Sequence, residues 1–322
     1  MLVEENFYID DALFGSNNFE EATIIQQKLI GLLNSGGMHL HKWSSNDERL
    51  LLTIPPLDRD TTVAIGNSTI NEVIKTLGLL WNPTTDEFWF LCKQFTKSDQ
   101  PTKRQVLSVI ATIFDPLGLI SPVIVVAKML MQKLWICKLK WDEPIDNELC
   151  VQWKEFLNAL PTLQEIRITR SVISYEAIAY EIHGFSDASQ LAYGACVYIR
   201  SIHSDGSASM KLVSGKSKVA PISPVTIPRK ELLASLLLTR LVLKILEAMN
   251  MEFSSINLWT DSQIVLAWLN KPLSSLQIFV RNRVAEIQSH KGYNWKYIST
   301  AENPADTVSR GQTASELMKN ER

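Results

Sequence analysis

Residues 173–322 alternate between two hydrophobic periods in an order that few folds accept. Runs near 177–186, 192–201 and 208–216 show the period-two pattern of half-buried strands, with Asp205-Gly206 as the turn between the last two. Pro221, Pro224 and Pro228 stiffen the next loop, and Glu231 opens a helix that runs to about Met249. Ile256–Thr260 reads as a buried strand and 262–269 as a helix. A further helix over 276–289 carries Ile278, Val280, Val284 and Ile287, and Trp295–Ile298 is the last strand before a helix that starts at Asp306. An antiparallel meander followed by strand–helix crossovers predicts an α/β domain built on a mixed sheet.

Four acidic residues punctuate this order. Asp187 stands in Gly184-Phe-Ser-Asp-Ala-Ser-Gln190, between two β-type runs and beside the small residues Ala188 and Ser189. Glu231 follows Pro228-Arg-Lys, Asp261 follows Leu258-Trp-Thr, and Asp306 follows Asn303-Pro-Ala. Singly, each has an ordinary structural role: Glu231 in a helix first turn, Asp261 and Asp306 as caps. Together they put Asp187, Glu231, Asp261 and Asp306 on four elements that can converge at one sheet edge. Phosphodiester hydrolysis calls for two divalent ions roughly 3.5–4 Å apart, one on the attacking water and one on the leaving oxygen. A carboxylate-only set without His or Cys suits Mg²⁺ or Mn²⁺ and disfavours zinc. The four acids are therefore expected to be both catalytic residues and metal ligands. Asp187 would bridge two ions, Glu231 and Asp261 would hold the leaving-group side, and Asp306 the water side.

Charge points the same way only locally. The 322-residue chain carries a net charge of −2, so bulk charge does not predict a polyanionic partner. Between residues 200 and 240, however, Arg200, Lys211, Lys216, Lys218, Arg229, Lys230 and Arg240 face only Asp205 and Glu231. Lys211, Lys216, Lys218, Arg229 and Lys230 are the expected phosphate contacts to a nucleic acid. Apolar residues make up 46% of the chain and charged ones 20%, which predicts a globular protein with packed cores. The cysteines (Cys92, Cys137, Cys150, Cys196) form no C-x-x-C pair and read as reduced thiols of an intracellular protein. Acidic residues interrupt the N-terminus, which argues against a secretory signal. Pro122, Lys128 and Lys133 break the most apolar stretch, which argues against a membrane span.

The N-terminal half reads as α+β. Phe7-Tyr-Ile-Asp-Asp-Ala-Leu-Phe14 is a strand bent around adjacent acids, and a hairpin tip is where both Asp10 and Asp11 can be exposed. A helix over 19–33 is predicted, capped by Asn18 with Glu21 and burying Ala22, Ile25, Leu29 and Leu32. Strands are expected at 38–43, 50–54, 74–81 and 87–91. His39 and His41 would share one strand face, a pair read as structural or exposed. Helices are expected at 102–114, 123–138 and 147–160, the last burying Leu149, Trp153, Phe156 and Leu160.

These motifs resemble the pol polyprotein of Bel/Pao-type long-terminal-repeat retrotransposons. The similarity runs through Phe7-Tyr-Ile-Asp-Asp11, Leu40-His-Lys-Trp43 with Ser45-Asn46, and Leu77-Gly-Leu-Leu-Trp-Asn82. It continues through Phe114-Asp-Pro-Leu-Gly-Leu-Ile-Ser-Pro122, Phe185-Ser-Asp-Ala-Ser189, Pro228-Arg-Lys-Glu-Leu-Leu-Ala234, Trp259-Thr-Asp-Ser262, Asn303-Pro-Ala-Asp306 and Ser309-Arg-Gly311. The resemblance implies a partial reverse-transcriptase palm with a primer-grip region at 1–100, thumb and connection helices at 101–172, and a ribonuclease H-like domain at 173–322. It implies that Asp10 and Asp11 are a polymerase remnant, that Leu77 to Trp81 grips a primer, and that Lys42 matches a lysine near the incoming nucleotide. It further implies an RNA–DNA hybrid as substrate, other pol polyprotein parts as partners and a cytoplasmic setting, with no polymerase activity expected of this chain alone. Two readings compete with a nuclease: a non-catalytic relic or domesticated nucleic-acid-binding module, and a DNA-cutting integrase or resolvase on the same fold. The residues before Asp306 lack the mobile His of many ribonucleases H, and no Asp-Thr-Gly or Asp-Ser-Gly protease motif is present.

Overall fold

The structure is a computed structural model that describes residues 6–8, 10–60, 74–76, 79–92, 95 and 98–320. The chain forms two compact units, Met1–Leu91 with Gln164–Ser171, and Cys92–Leu163 with Val172–Arg322. In chain order the described elements begin with β1 (Phe7–Tyr8), β2 (Asp11–Ala12), α1 (Phe19–Ser35) and α2 (Glu48–Leu51). They continue with β3 (Ile74–Thr76), β4 (Leu79–Asn82), β5 (Glu87–Trp89), α3 (Lys103–Ile110), α4 (Ser121–Ile136), α5 (Asn147–Ala159) and β6 (Arg167–Thr169). Then come β7 (Ala179–Ala188), β8 (Ala192–Ile202), β9 (Ala208–Val219), α6 (Ile227–Met249) and β10 (Ser255–Thr260). The last are α7 (Gln263–Leu269), α8 (Ile278–Gln288), β11 (Tyr293–Tyr297), α9 (Ala305–Arg310) and α10 (Ala314–Met318).

In the first unit, β1 and β2 pair antiparallel, Phe7 with Ala12 and Tyr8 with Asp11. Asp10 lies in the turn and Asp11 opens the return strand, both exposed. Ile9 of that motif and Leu77 and Gly78 of the expected primer grip lie outside the described residues. The Asn18 side chain accepts the Glu21 N–H at 2.8 Å and so caps α1. The buried stripe of this helix is Gln26, Leu29 and Leu33; Leu32, expected inside, is half exposed. Gln26 explains the rotation, because its amide donates to the Leu50 carbonyl at 2.9 Å and fixes which face turns inward. Two expected strands are absent. Residues 38–43 are loop with one bridge, Trp43 to Arg59. Residues 48–51 form a helical turn because Asp47 caps it, accepting Arg49 N–H. Short apolar runs do not distinguish helix from strand, and here the cap decides. An unforeseen strand, β6, closes the sheet β3-β4-β5-β6. Beside it, Arg170 pairs with Asp86 at 2.6 and 3.0 Å.

In the second unit the sheet order is β11-β10-β7-β8-β9. β7, β8 and β9 pair antiparallel, while β10 lies parallel to both β7 and β11, so the mixed sheet expected from the sequence is present. Helix α6 covers one face, where Leu237, Leu238, Leu241 and Val242 pack on Ile182, Val197 and Leu258. Helix α9 covers part of the other through Ala305 and Val308 against Phe185 and Cys196. Helix α6 starts at Ile227, one turn before Glu231, because Pro228 sits in the first turn, where its missing N–H costs nothing.

Residues 102–163 share this compact unit with the sheet, whereas the sequence places a division near residue 172. The reason is the apolar length of α4, which lies along β9. Lys128 Nζ donates to the Ser217 carbonyl at 3.0 Å and Gln132 to the Ala220 carbonyl at 2.6 Å. These side chains occupy groups that an edge strand would otherwise leave open. The preceding turn is equally tight. Asp115 accepts the N–H groups of Leu119 and Ile120, and Gly215 N–H donates to the Leu117 carbonyl at 3.0 Å. Gly118 has φ +73°, and a Cβ there would lie 1.7 Å from the Gly215 carbonyl oxygen. Gly118→Ala is therefore expected to lose roughly 3 kcal/mol or more of unfolding free energy. Gly206→Ala, at φ +83° with nothing within 4 Å, is expected to lose about 1 kcal/mol. Urea unfolding of the two variants side by side checks the difference.

Candidate active site

Parallel pairing of β7 and β10 sets the site. Their registers match Ser186 to Thr260, so the next residues, Asp187 and Asp261, emerge together at the carboxyl ends of adjacent strands. Helix α6 brings Glu231 over the same end in its second turn. One side-chain oxygen from each of Asp187, Glu231 and Asp261 lies within 4.8 Å of the other two. Asp187 is 2% exposed and Glu231 7% exposed, whereas Asp261 is half-buried.

Asp306 is held differently. It sits in the first turn of α9 and accepts the Arg310 Nε–H at 2.5 Å, so its carboxylate is tied back along its own helix. Three residues further on, the Ser309 hydroxyl donates to Asp187 Oδ2. The Thr300 hydroxyl donates to Asp261 Oδ2 at 2.6 Å. Asn303, fully buried, donates to the Ser186 carbonyl at 3.1 Å and accepts Ala305 N–H, pinning the start of α9 to the strand that carries Asp187. Gly194, opposite Asp187 in the register, makes room for that helix: a Cβ there would meet Val308 at 2.5 Å. The supporting roles of Ser309, Thr300 and Asn303 escape a reading based on acids alone. The available signal was the i+3 and i+4 placement of Ser309 and Arg310 after Asp306, which one helical face brings together.

Burial pushes the Asp187 carboxyl up to about 6, against the Ser309 hydroxyl, and the charges of Asp261 and Asp306 add to the rise. Burial pushes Glu231 further, to about 9, reinforced by Asp187 and Asp261. Glu231 Oε2 is buried without a hydrogen-bond partner. A buried carboxylate with a partnerless oxygen, in a cluster with two more carboxylates, is what a hard divalent cation satisfies, and the all-oxygen donor set fits that class of ion.

The predicted phosphate contacts fall into two groups. Lys216 and Lys218 are exposed on β9, alternating with the inward Gly215 and Ser217, and Lys211 is half-buried on the same strand. Arg229 lies over the Phe279 ring and donates to Gln277. Lys230 is buried and donates to the Gln190 carbonyl at 2.6 Å, tying α6 to the loop after β7. Among the described residues no helix is long and apolar enough to cross a membrane.

The family model of the Pao retrotransposon-like RNaseH-like domain matches residues 102–262. The chain belongs to this family. The match spans α3–α5 with the sheet up to β10, and so covers Asp187, Glu231 and Asp261 of the Pao-type domain. No curated protein matches the chain. Among solved structures, it is similar to a foamy viral protease-reverse transcriptase in complex with double-stranded DNA, at 14% identity and TM-score 0.47, covering 89% of this chain and 44% of that one. It is similar to the N-terminal RNase H domain of a Mycobacterium tuberculosis protein, at 14% identity and TM-score 0.30, covering 46% and 99%. RNase H1 of the archaeon Halobacterium salinarum NRC-1 is similar at 16% identity and TM-score 0.27, covering 40% and 93%.

The raised carboxyls have a consequence for the metal-free Pao-type domain. A carboxyl whose folded value exceeds its unfolded one stabilises the fold fully below the unfolded value and loses that contribution as pH rises through the folded value. Stability is therefore expected to fall from about pH 4 to 6 through Asp187 and onward to about pH 9 through Glu231. Glu231→Gln should raise metal-free stability at pH 8 by about 2 kcal/mol. The thermal shift produced by Mg²⁺ should be larger at pH 8 than at pH 5.5, because the cation displaces those protons. Thermal unfolding with and without chelator at both pH values checks both signs.

Proposed function

We propose that this chain carries a ribonuclease H-type nuclease that hydrolyses the RNA strand of an RNA–DNA hybrid. The observation that supports it most is the cluster of Asp187, Glu231 and Asp261, in which Glu231 keeps one buried oxygen without a hydrogen-bond partner. Asp187, Glu231, Asp261 and Asp306 are the residues proposed to hold two Mg²⁺ or Mn²⁺ ions. Bound there, the ions would supply an activated water and offset the charge on the phosphate oxygens.

The chain's own residues set the geometry for that chemistry. Ser309 fixes one oxygen of Asp187 and with it the orientation of the carboxylate. Thr300 orients Asp261. Burial of Asp187 and Glu231 lowers the local dielectric, so their charges act more strongly on a cation than exposed carboxylates would. Lys211, Lys216, Lys218 and Arg229 are proposed as phosphate contacts; the bond from Lys230 to Gln190 supports a positioning role for that residue. The exposed Asp10 and Asp11 of the first unit support its reading as part of a reverse-transcriptase palm, with other pol polyprotein parts as intracellular partners.

One observation favours a second reading. The Asp306–Arg310 pair engages the fourth carboxylate, which is what a hybrid-binding module that has ceased to cut would tolerate. Cleavage of a labelled RNA–DNA hybrid in Mg²⁺ and in Mn²⁺ separates the two. The nuclease reading expects RNA cleavage and a loss on the order of 10³-fold in Asp187→Asn, about 4 kcal/mol of barrier. It also expects Arg310→Ala to lower the Mg²⁺ concentration needed for half-maximal rate. Salt-dependent hybrid binding with no cleavage in either metal would overturn it in favour of the binding module.

A further inference from the structure

We infer that His39, His41 and Asp58, in the first unit, form a binding site for a zinc-class divalent cation. One ligand atom from each lies within 4.8 Å of the other two. His39 Nε2 is 3.0 Å from Asp58 Oδ2, and His41 Nδ1 is 2.8 Å from Asp58 Oδ1. The two rings meet edge to face with centroids 4.6 Å apart. The rings reach Asp58 through different nitrogens, His39 by Nε2 and His41 by Nδ1, and engage its two oxygens separately.

That backbone is held from both sides. Trp43 N–H donates to the Asp58 carbonyl at 2.8 Å, and Asp60 N–H donates to the Trp43 carbonyl at 2.9 Å. Between His41 and Trp43, Lys42 adopts φ +57°, a left-handed conformation that a lysine takes only when its neighbours impose it. The ligands are thus mounted before any ion arrives, and less ordering is required on binding. Asp58 is 9% exposed, next to a cavity of about 200 Å³ walled by Leu33, Leu40, Trp43, Ile54 and Pro55. Both histidine side chains are more than half exposed, which leaves the opposite side open to water as a further ligand.

The donor set selects the ion. Two imidazoles and one carboxylate suit Zn²⁺ and its neighbours Co²⁺ and Ni²⁺, and disfavour Mg²⁺. The site therefore differs in chemistry from the all-carboxylate cluster, and an excess of Mg²⁺ leaves it free. Its bound ion would clamp the 39–43 loop to the turn that carries Asp58.

Calorimetric titration of the full chain with Zn²⁺, in millimolar Mg²⁺, tests the site. One equivalent is expected to bind, with affinity reduced at least about tenfold in His41→Gln and in Asp58→Asn and unchanged in Asp187→Asn. Far-UV circular dichroism of His39→Gln and His41→Gln verifies that they fold. Cobalt substitution of the unmutated chain needs no variant: a ligand-field absorption of low-coordinate Co²⁺, displaced by Zn²⁺, is the expected signature. A featureless cobalt spectrum, no saturable Zn²⁺ binding, or binding that survives in His41→Gln but vanishes in Asp187→Asn would each overturn the site.

Discussion

Mutual repulsion among Asp187, Glu231 and Asp261 is the constraint around which the second unit is arranged. Three carboxylates that each bring one oxygen within 4.8 Å of the other two, two of them buried, oppose folding unless protons or a cation compensate them. Each is therefore mounted on an element that cannot yield. Asp187 is the penultimate residue of a ten-residue strand flanked on both sides by other strands, Asp261 follows its parallel neighbour, and Glu231 rides a 23-residue helix whose apolar face fills the core. The packing of Leu238 and Val242 against Ile182 and Leu258 holds the helix down and, with it, the charge that would push it away. The carboxylate repulsion is concentrated at one sheet end, where rigid elements preorganise the site.

The supporting contacts divide that task. Asn303 and Ser309 reach from the last helix to Ser186 and Asp187, so the C-terminal segment serves the site although only one of its residues is an acid. Helix α4 protects the far edge of the same sheet, with Lys128 bonded to Ser217 of β9 and Gln132 to Ala220 just after it. The family match beginning at residue 102 agrees with this arrangement, because the helices and the sheet belong to one compact unit.

Legibility differed between the two units for a physical reason. Long segments with clear periods, such as β7–β9, α4, α5 and α6, lie within a few residues of their expected bounds, because their many apolar positions average out local ambiguity. The first unit has short elements, and single side chains decide them. Asp47 made a helical turn of an apolar run expected as a strand, and Gln26 rotated α1 so that Leu33 replaced Leu32 in the core. His39 and His41 were visible as a pair, but Asp58, seventeen residues after His41, was not visibly their partner, because a bridge between loops brought it there.

The amino-acid sequence by itself determined the order of elements in the second unit, the mixed α/β character of its sheet, and the four acids with their places along that order. Periodicity and residue type are local properties and survive without coordinates. Only the tertiary structure decided that Asp187, Glu231 and Asp261 meet while Asp306 turns to Arg310. It also decided that Lys230 faces inward and Lys216 outward, and that α4 joins the sheet. Those outcomes depend on strand pairing, helix rotation and edge protection, which are set by contacts between residues far apart in the chain.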